Sequence, residues 1–177
     1  GSETMNSQYG TVGGLQAALE YAKRGWPVFQ TSLHGGKLLP ATAAKDGAPR
    51  WDATTNPEEI RWRWMNNPDA GVGIATGQVA GILVIDIDTQ EAHGRDGYAS
   101  LVKLETGKET IPDTISVATP SGGRHLYFNY PVGRDIRNGA SKIAEGIDHR
   151  GNGGFVNAVP SVRPDGMYVW VNSIDLL

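Results

Sequence analysis

Apolar residues recur at helical spacing near the start of this chain and at strand spacing through most of the remainder. Leu15, Ala18, Leu19 and Ala22 follow the i, i+3, i+4, i+7 pattern that places apolar side chains on one face of a helix, and Gly25 follows as a stop signal. The pattern therefore predicts an amphipathic helix that ends before Gly25.

A second helix is predicted to begin near Pro57. Asn56 can cap its first turn, and Glu58 and Glu59 fall where the positive end of the helix dipole favours acids. Between the helices, the segment WPVFQTS indicates a short strand. Residues 34–52 contain Gly, Pro and Lys without periodicity, so we expect a loop there.

After Pro68 the chain becomes rich in β-forming residues. The turn Pro120-Ser121-Gly122-Gly123 joins two predicted strands, and GYASLVKLE is typical of a short helix. The predicted strands are VGIAT, ILVIDID, ISVAT, RHLYFNY, GGFVNAV and YVWV. Paired strands with a few helices favour an α+β fold over a regular βαβ array.

The segment GILVIDIDTQ ends an apolar run with two carboxylates, Asp86 and Asp88. Alternation along a strand puts both acids on one face, roughly 6.5–7 Å apart, and predicts that Ile85 and Ile87 face the core. Close carboxylates repel each other unless a cation lies between them, and hard oxygen ligands suit magnesium or manganese. The alternative is a strand end with two solvated acids.

Two glycine-containing turns carry further candidate residues. In ATPSGGRHLYF, a Gly-Gly turn frees backbone N–H groups to approach an anion, and Ser121, Arg124 and His125 add polar side chains. In GIDHRGNGGFVNAVPS, Asp148 offers a third carboxylate and Arg150 a phosphate contact. Each segment also has a plain structural interpretation, since single histidines in strands and Asp-Gly turns are common.

The composition excludes several classes of protein. The 177 residues include no cysteine, which rules out disulfides, thiolate zinc sites and a cysteine nucleophile. The formal net charge is −3, but residues 121–163 carry six basic and three acidic side chains, which leaves a local anion-binding face possible. We found no secretory signal or apolar run long enough to cross a membrane, so we expect a cytoplasmic protein.

We expect residues 7–177 to form a single domain. Gly1 and Ser2 look like the remnant of a cleaved affinity tag, and residues 1–6 are expected to be disordered.

The motif VIDIDT also fits the opening of haloacid-dehalogenase-like phosphatases, in which Asp86 would be the nucleophile. That fold needs a later lysine and a further acidic pair on following Rossmann-like strands. No Asp-Asp or Gly-Asp pair follows Asp88 here. The phosphatase is therefore the alternative hypothesis.

The ordered set DID, SGGRH and IDHRGNGGFVNAVPS resembles the bifunctional primase–polymerase domain of the archaeo-eukaryotic primase superfamily, found in phage and plasmid replication proteins. The segments ALEYAKRGWPVF, VGIATG, GYASLVKLE and MYVW extend the resemblance over most of the chain. Two departures are Gly123-Arg124-His125 in place of the usual Ser-x-His, and a loose match of Lys37-Leu-Leu-Pro40 to a Lys-x-Pro stretch. The resemblance implies a compact α+β catalytic core. Its mixed or antiparallel sheet would form an RRM-like active-site unit, flanked by helices and an N-terminal α/β unit.

The resemblance implies a template-directed DNA primase and DNA polymerase, a nucleotidyltransferase, with residue roles that can be carried over. Asp86, Asp88 and Asp148 would hold two Mg²⁺ or Mn²⁺ ions, and His125 would contact the triphosphate of the incoming nucleotide. The other predicted nucleotide contacts are Ser121, Gly122, Gly123, Arg124 and Arg150, and Lys37, Arg50 and Arg163 are further candidate contacts to nucleic acid or phosphate.

The same resemblance implies a single-stranded DNA template, a primer and nucleoside triphosphates as partners. It also implies a helicase domain on a longer chain. A nucleotide-binding or nucleic-acid-binding module without catalysis remains a further alternative.

Overall fold

The computed structural model describes residues 13–43, 49–89, 96–97, 99 and 113–172. It contains helices α1 (Gly14–Lys23) and α2 (Pro57–Asn66), and a 3₁₀ turn at Arg50–Asp52. The strands are β1 (Val28–His34), β2 (Lys37–Pro40), β3 (Gly71–Ala75), β4 (Ile82–Ile87), β5 (Ile115–Ala118), β6 (Arg124–Asn129), β7 (Gly139–Ala144), β8 (Ile147–Arg150), β9 (Phe155–Ala158), β10 (Val162–Arg163), β11 (Gly166–Met167) and β12 (Val169–Asn172).

Both predicted helices with described residues are confirmed. Helix α1 packs against α2 and β3. It buries Ala17, Ala18, Tyr21 and Ala22, and the predicted Leu15 and Leu19 pack half-buried against the same core. At the start of α2, the side-chain oxygen of Asn56 accepts hydrogen bonds from the backbone N–H groups of Glu58 (2.9 Å) and Glu59 (3.4 Å). The short helix predicted from GYASLVKLE lies almost entirely outside the described residues. None of the described helices is long and apolar enough to cross a membrane.

The strands form two main sheets and a small ribbon, and all of their pairings are antiparallel in the described part of the chain. The first sheet has the strand order β2-β1-β3-β9, the second has the order β12-β5-β6-β4-β8-β7, and β10 pairs with β11. The predicted α+β class is thereby confirmed. Strand β4, which carries the acidic motif, lies inside the six-stranded sheet between β6 and β8.

The loop predicted over residues 34–52 is wrong, since it contains β2 and the 3₁₀ turn. Strand β2 pairs with β1 through a two-residue turn, Gly35-Gly36, whose glycines both have positive φ. Strands β7, β8, β10 and β11 were not predicted either. Strands β8, β10 and β11 have two to four residues each, and the six-residue β7 pairs with β8 in a shifted register. Strand β8 is held by pairing with β7 and with β4, which is distant in sequence.

The main core lies on the face of β4 that carries Ile82 and Val84. This corrects the prediction that Ile85 and Ile87 face the core and the acids face the opposite side. Ile87 is buried and Ile85 is half-buried on the other face, so β4 is covered on both sides. A strand covered on both faces is apolar at most positions, and its sequence does not reveal which face meets the main core.

Candidate active site

Three neighbouring strands bring the central site residues into one row. Asp86 on β4 lies opposite His125 on β6 and opposite Asp148 on β8. Residues directly opposite each other in antiparallel strands project from the same face of the sheet. The row therefore continues the core-facing side of β4 and opens into a cleft where the apolar residues end.

The carboxylates of Asp86, Asp88 and Asp148 form a cluster, referred to below as the carboxylate cluster. One ligand oxygen from each lies within 4.8 Å of the others. Asp88 and Asp148 are buried, at 6% and 7% exposure, and the side chain of Asp86 is 19% exposed. Like charges this close in a partly dry site repel strongly. A hard divalent cation such as Mg²⁺ or Mn²⁺ removes that repulsion, so the donor set fits such an ion.

Backbone contacts to two glycines place Asp88 beside the end of β4. The Asp88 N–H donates to the Gly146 carbonyl (2.8 Å), and the Asp88 carbonyl accepts from the Gly97 N–H (2.9 Å). A Cβ atom on Gly97 would lie 2.4 Å from the Gly146 carbonyl oxygen, a distance that no side chain tolerates. The close approach of these two backbone segments therefore depends on glycine.

Asp148 is oriented by the neighbouring edge strand. The Ser141 N–H donates to the Asp148 Oδ1 at 2.9 Å, and the Ser141 hydroxyl accepts from the Gly146 N–H at 3.2 Å. Ser141 has a positive φ of 53° and lies within β7 where its register with β8 shifts. The irregular strand thus directs a backbone donor at the carboxylate.

Two nitrogen-bearing side chains flank Asp86. His125 Nε2 lies 3.6 Å from Asp86 Oδ1, and Arg150 Nη2 lies 3.7 Å from Asp86 Oδ2. Burial lowers the pKa of His125 below its ordinary value. The Asp86 carboxylate opposes this shift, and Arg150 adds to it. His125 is therefore a neutral hydrogen-bonding group at neutral pH, and Arg150 supplies the positive charge.

The cleft above this row has a volume of about 350 Å³ and lies between the two main sheets. The wall on the side of the six-stranded sheet is lined by Asp86, Asp88, His125 and Arg150, and the other wall comes from β2 and β9. Among the predicted contacts, the residues that line the cleft are Lys37, Ser121, His125, Arg150 and Arg163.

Four other predicted contacts lie elsewhere. Gly122 and Gly123 shape the β5–β6 turn, and a Cβ on Gly123 would lie 2.4 Å from the Ile87 carbonyl oxygen. Arg124 pairs with Ile87 and projects from the face opposite His125, so this geometry does not support a direct contact to a ligand in the cleft. Arg50 lines a second cavity, described below.

Sequence reasoning missed several cleft residues, among them Trp51, Asn157 and Tyr168. The Tyr168 ring lies 5.9 Å from the His125 ring, and Arg163 Nη1 approaches the Tyr168 hydroxyl at 3.5 Å. Tyr168 belongs to the MYVW segment, and its apolar neighbours could have marked it only as a strand residue. Trp51 lies in a segment without periodicity, so no pattern indicated it.

The fold excludes the phosphatase alternative, which requires a Rossmann-like sheet. Both neighbours of β4 run antiparallel to it, and the acidic partner of Asp86 comes from β8 rather than from a following parallel strand.

Comparison with known proteins agrees with the resemblance seen in the sequence. No curated protein matches the chain. A family model, described as bifunctional DNA primase/polymerase, N-terminal, matches residues 18–176, which include every residue of the site. The chain therefore belongs to the family of bifunctional DNA primase/polymerase N-terminal domains.

Proposed function

We propose that the chain is a metal-dependent, template-directed nucleotidyltransferase that extends DNA strands and initiates them. The substrate would be a ribo- or deoxyribonucleoside triphosphate, and the acceptor a primer 3′-hydroxyl or an initiating nucleotide. The observation that supports this most directly is the convergence of three carboxylates, two of which line an open cleft together with His125 and Arg150.

Asp86, Asp88 and Asp148 would hold two Mg²⁺ or Mn²⁺ ions. When bound, such ions activate the attacking hydroxyl and neutralise charge on the triphosphate and the leaving pyrophosphate. Asp86 lies on β4, Asp88 directly follows that strand, and Asp148 lies on β8. Each of these positions is held by backbone pairing or hydrogen bonds, so the three carboxylates lie close together before any ion binds.

The chain's own part is to bind and orient the phosphates. Arg150 offers a planar set of N–H donors suited to phosphate oxygens, and neutral His125 offers one ring donor without adding charge. Ser121 adds a hydroxyl at the turn, and Lys37 and Arg163 face the cleft from its other side. Phosphoryl and nucleotidyl transfer need little more from a protein than this positioning and charge.

The proposal also includes the partners of the chain and the process in which it takes part. A single-stranded DNA template and a primer would be its nucleic-acid partners, and a helicase domain would accompany it on a longer chain in phage or plasmid replication in the cytoplasm. Template affinity should be salt-sensitive, because the chain as a whole is acidic and only a local surface is basic.

Primer extension tests the proposal. Wild type, Asp86→Asn and Asp148→Asn should be compared on a primed template with Mg²⁺ or Mn²⁺, with Asp69→Asn as the charge-matched control at an exposed turn. We expect extension by wild type and control, and extension at background for the two cluster variants. Unchanged extension by those variants would refute the assignment. Nucleotide binding that ignores EDTA, without any extension, would instead identify a binding module without catalysis.

A further inference from the structure

A second cavity lies beside the cleft and differs from it in chemistry. Its volume is about 380 Å³, and we call it the Trp51 cavity, lined among others by Pro27, Arg50, Trp51, Thr55, Val79 and Gly153. Arg50 is the only charged side chain of its described lining, and no carboxylate contributes. The cavity is therefore unsuited to a metal ion or a triphosphate. It suits a flat ligand with apolar faces and polar edges.

Trp51 separates this cavity from the cleft and lines both. Its backbone has φ 58° and ψ 21°, the left-handed region that bulky residues rarely adopt, and Asp52 follows with φ 55°. The ring is fixed by Phe29 and Phe155, whose centroids lie 5.0 and 5.1 Å away. Aromatic packing thus compensates for an unfavourable backbone, an arrangement that tends to occur where position matters for function.

Arg50 completes the wall on the solvent side. Its guanidinium carbon lies 5.0 Å from the centroid of the Trp51 ring, and its Nη1 donates to the Gly153 carbonyl at 3.3 Å. The guanidinium is thereby held over an aromatic ring at the edge of an apolar cavity. Arginine in this arrangement offers a stacking surface and a positive charge for a neighbouring phosphate.

The segment between β8 and β9 runs along both the cleft and the Trp51 cavity. Gly153 and Gly154 line both, and they follow Arg150 by three and four residues. A Cβ on Gly154 would lie 2.1 Å from the Asn138 Oδ1, and Gly153 has a positive φ of 79°. Bare backbone therefore forms a low floor between the carboxylate cluster and the Trp51 cavity, over which a nucleic-acid strand can pass.

We propose that the Trp51 cavity holds one unpaired base of the single-stranded DNA template next to the reacting position. This inference rests on the proposed function, because it takes the cleft as the place where the template is copied. Stacking on an aromatic or guanidinium surface accepts any base, so the site would bind without strong sequence preference. Arg50 would contact the adjoining phosphate.

Binding of single-stranded DNA without metal or nucleotide isolates this site from catalysis. Fluorescence anisotropy would compare a labelled oligothymidylate with an abasic oligonucleotide of the same length and charge. One stacked base favours the base-bearing strand by roughly 5- to 150-fold in Kd. We expect wild type to show a preference within that range.

The key variant is Val79→Trp, because Val79 lines the cavity and is 66% exposed, so a larger side chain can fill the cavity without disturbing the core. Val132→Trp is the matched control, since Val132 is 99% exposed and lines none of the described cavities. We expect Val79→Trp to bind both strands equally and Val132→Trp to keep the wild-type preference. Trp51→Phe should keep part of the preference, whereas Trp51→Ala should lose it.

A wild type that binds both strands equally, or a Val79→Trp variant that keeps the full preference, would overturn the inference. Primer extension on the same preparations separates this result from the proposed function. Extension without base preference refutes only the Trp51 cavity as a base site. Base preference without extension supports the cavity and refutes the catalytic proposal.

Discussion

Replacing Asp148 by asparagine removes one negative charge from the carboxylate cluster and changes little else. The asparagine side chain has nearly the same shape, and its Oδ1 can still accept the Ser141 N–H that Asp148 accepts at 2.9 Å. In the absence of divalent ions, we expect this variant to be more stable than wild type. The reason is that wild type must hold three carboxylates within 4.8 Å of one another.

Coulomb's law sets the size of the effect. Two unit charges at 4.8 Å repel by about 3.5 kcal/mol at an effective dielectric of about 20, and by about 0.9 kcal/mol in bulk water. Asp148 takes part in two such pairs. Arg150, 3.7 Å from Asp86, and the partial exposure of Asp86 reduce the total. We therefore expect a gain of about 1–3 kcal/mol in the free energy of unfolding.

Divalent ions should reduce or reverse this difference in stability between Asp148→Asn and wild type. An ion present at a hundred times its Kd stabilises the folded protein by about 2.7 kcal/mol. Wild type should receive that gain from Mn²⁺, and Asp148→Asn should receive much less, because it has lost a ligand. Urea denaturation followed by tryptophan fluorescence, in EDTA and in excess Mn²⁺, measures both differences.

Asp69→Asn is the control for the change in net charge, since Asp69 is exposed on the turn after α2. It should change stability little in either buffer. If Asp148→Asn is less stable than wild type in EDTA, and if Mn²⁺ stabilises it as much as it stabilises wild type, the carboxylates neither repel each other nor share an ion, and the reasoning fails.

Two further predictions concern the supports of the fold and the site. Gly97→Ala should displace Asp88, whose backbone N and O would both lie 2.9 Å from the added Cβ. The stabilisation of the folded protein by Mn²⁺ should therefore fall. If Mn²⁺ stabilises this variant as much as it stabilises wild type, Gly97 does not position Asp88 for ion binding. Asp135 has a pKa below its ordinary value of 3.8, first because Asn152 donates to it and then because of the charge of Arg137. Its ionised form therefore stabilises the fold above that pH, and the stabilisation is lost as the pH falls through the lowered pKa. Asp135→Asn should lower the urea midpoint at neutral pH and leave it unchanged in strong acid, whereas an equal loss at both would refute the linkage.

Local patterns were sufficient to predict the elements that bury one continuous apolar face. The i, i+3, i+4 spacing identified α1, and Asn56 with its following acids identified the start of α2. The segment RHLYFNY was also predicted as a strand; it forms β6, on which His125 and Tyr127 are buried on the same side of the sheet. Each of these elements is determined by residues within a few positions of one another, so the local sequence is enough to identify it.

The remaining features depend on contacts between distant segments. Strand β8 has only four residues and lies between glycines, so it looked like part of a turn; it is a strand because Asp148 and its neighbours pair with β4. The face of Asp86 could not be assigned, because both sides of β4 are covered. Trp51 depends on Phe29 and Phe155 from two other strands, and no local period reports such packing.

The register of β8 links the stability of the sheet to the chemistry of the site. In the observed pairing, Ile147 lies opposite Ile87 and Asp148 opposite Asp86, so an apolar pair and an acidic pair occupy opposite faces. A slip of one residue would turn Asp148 to the other face and bring Ile147 or His149 beside Asp86. The apolar contact of Ile147, which is 2% exposed, opposes that slip, whereas repulsion between the acids favours it. The Ser141 and Gly146 contacts, which hold Asp148 and Asp88 by hydrogen bonds, therefore secure the register at the point where the carboxylate cluster strains it most.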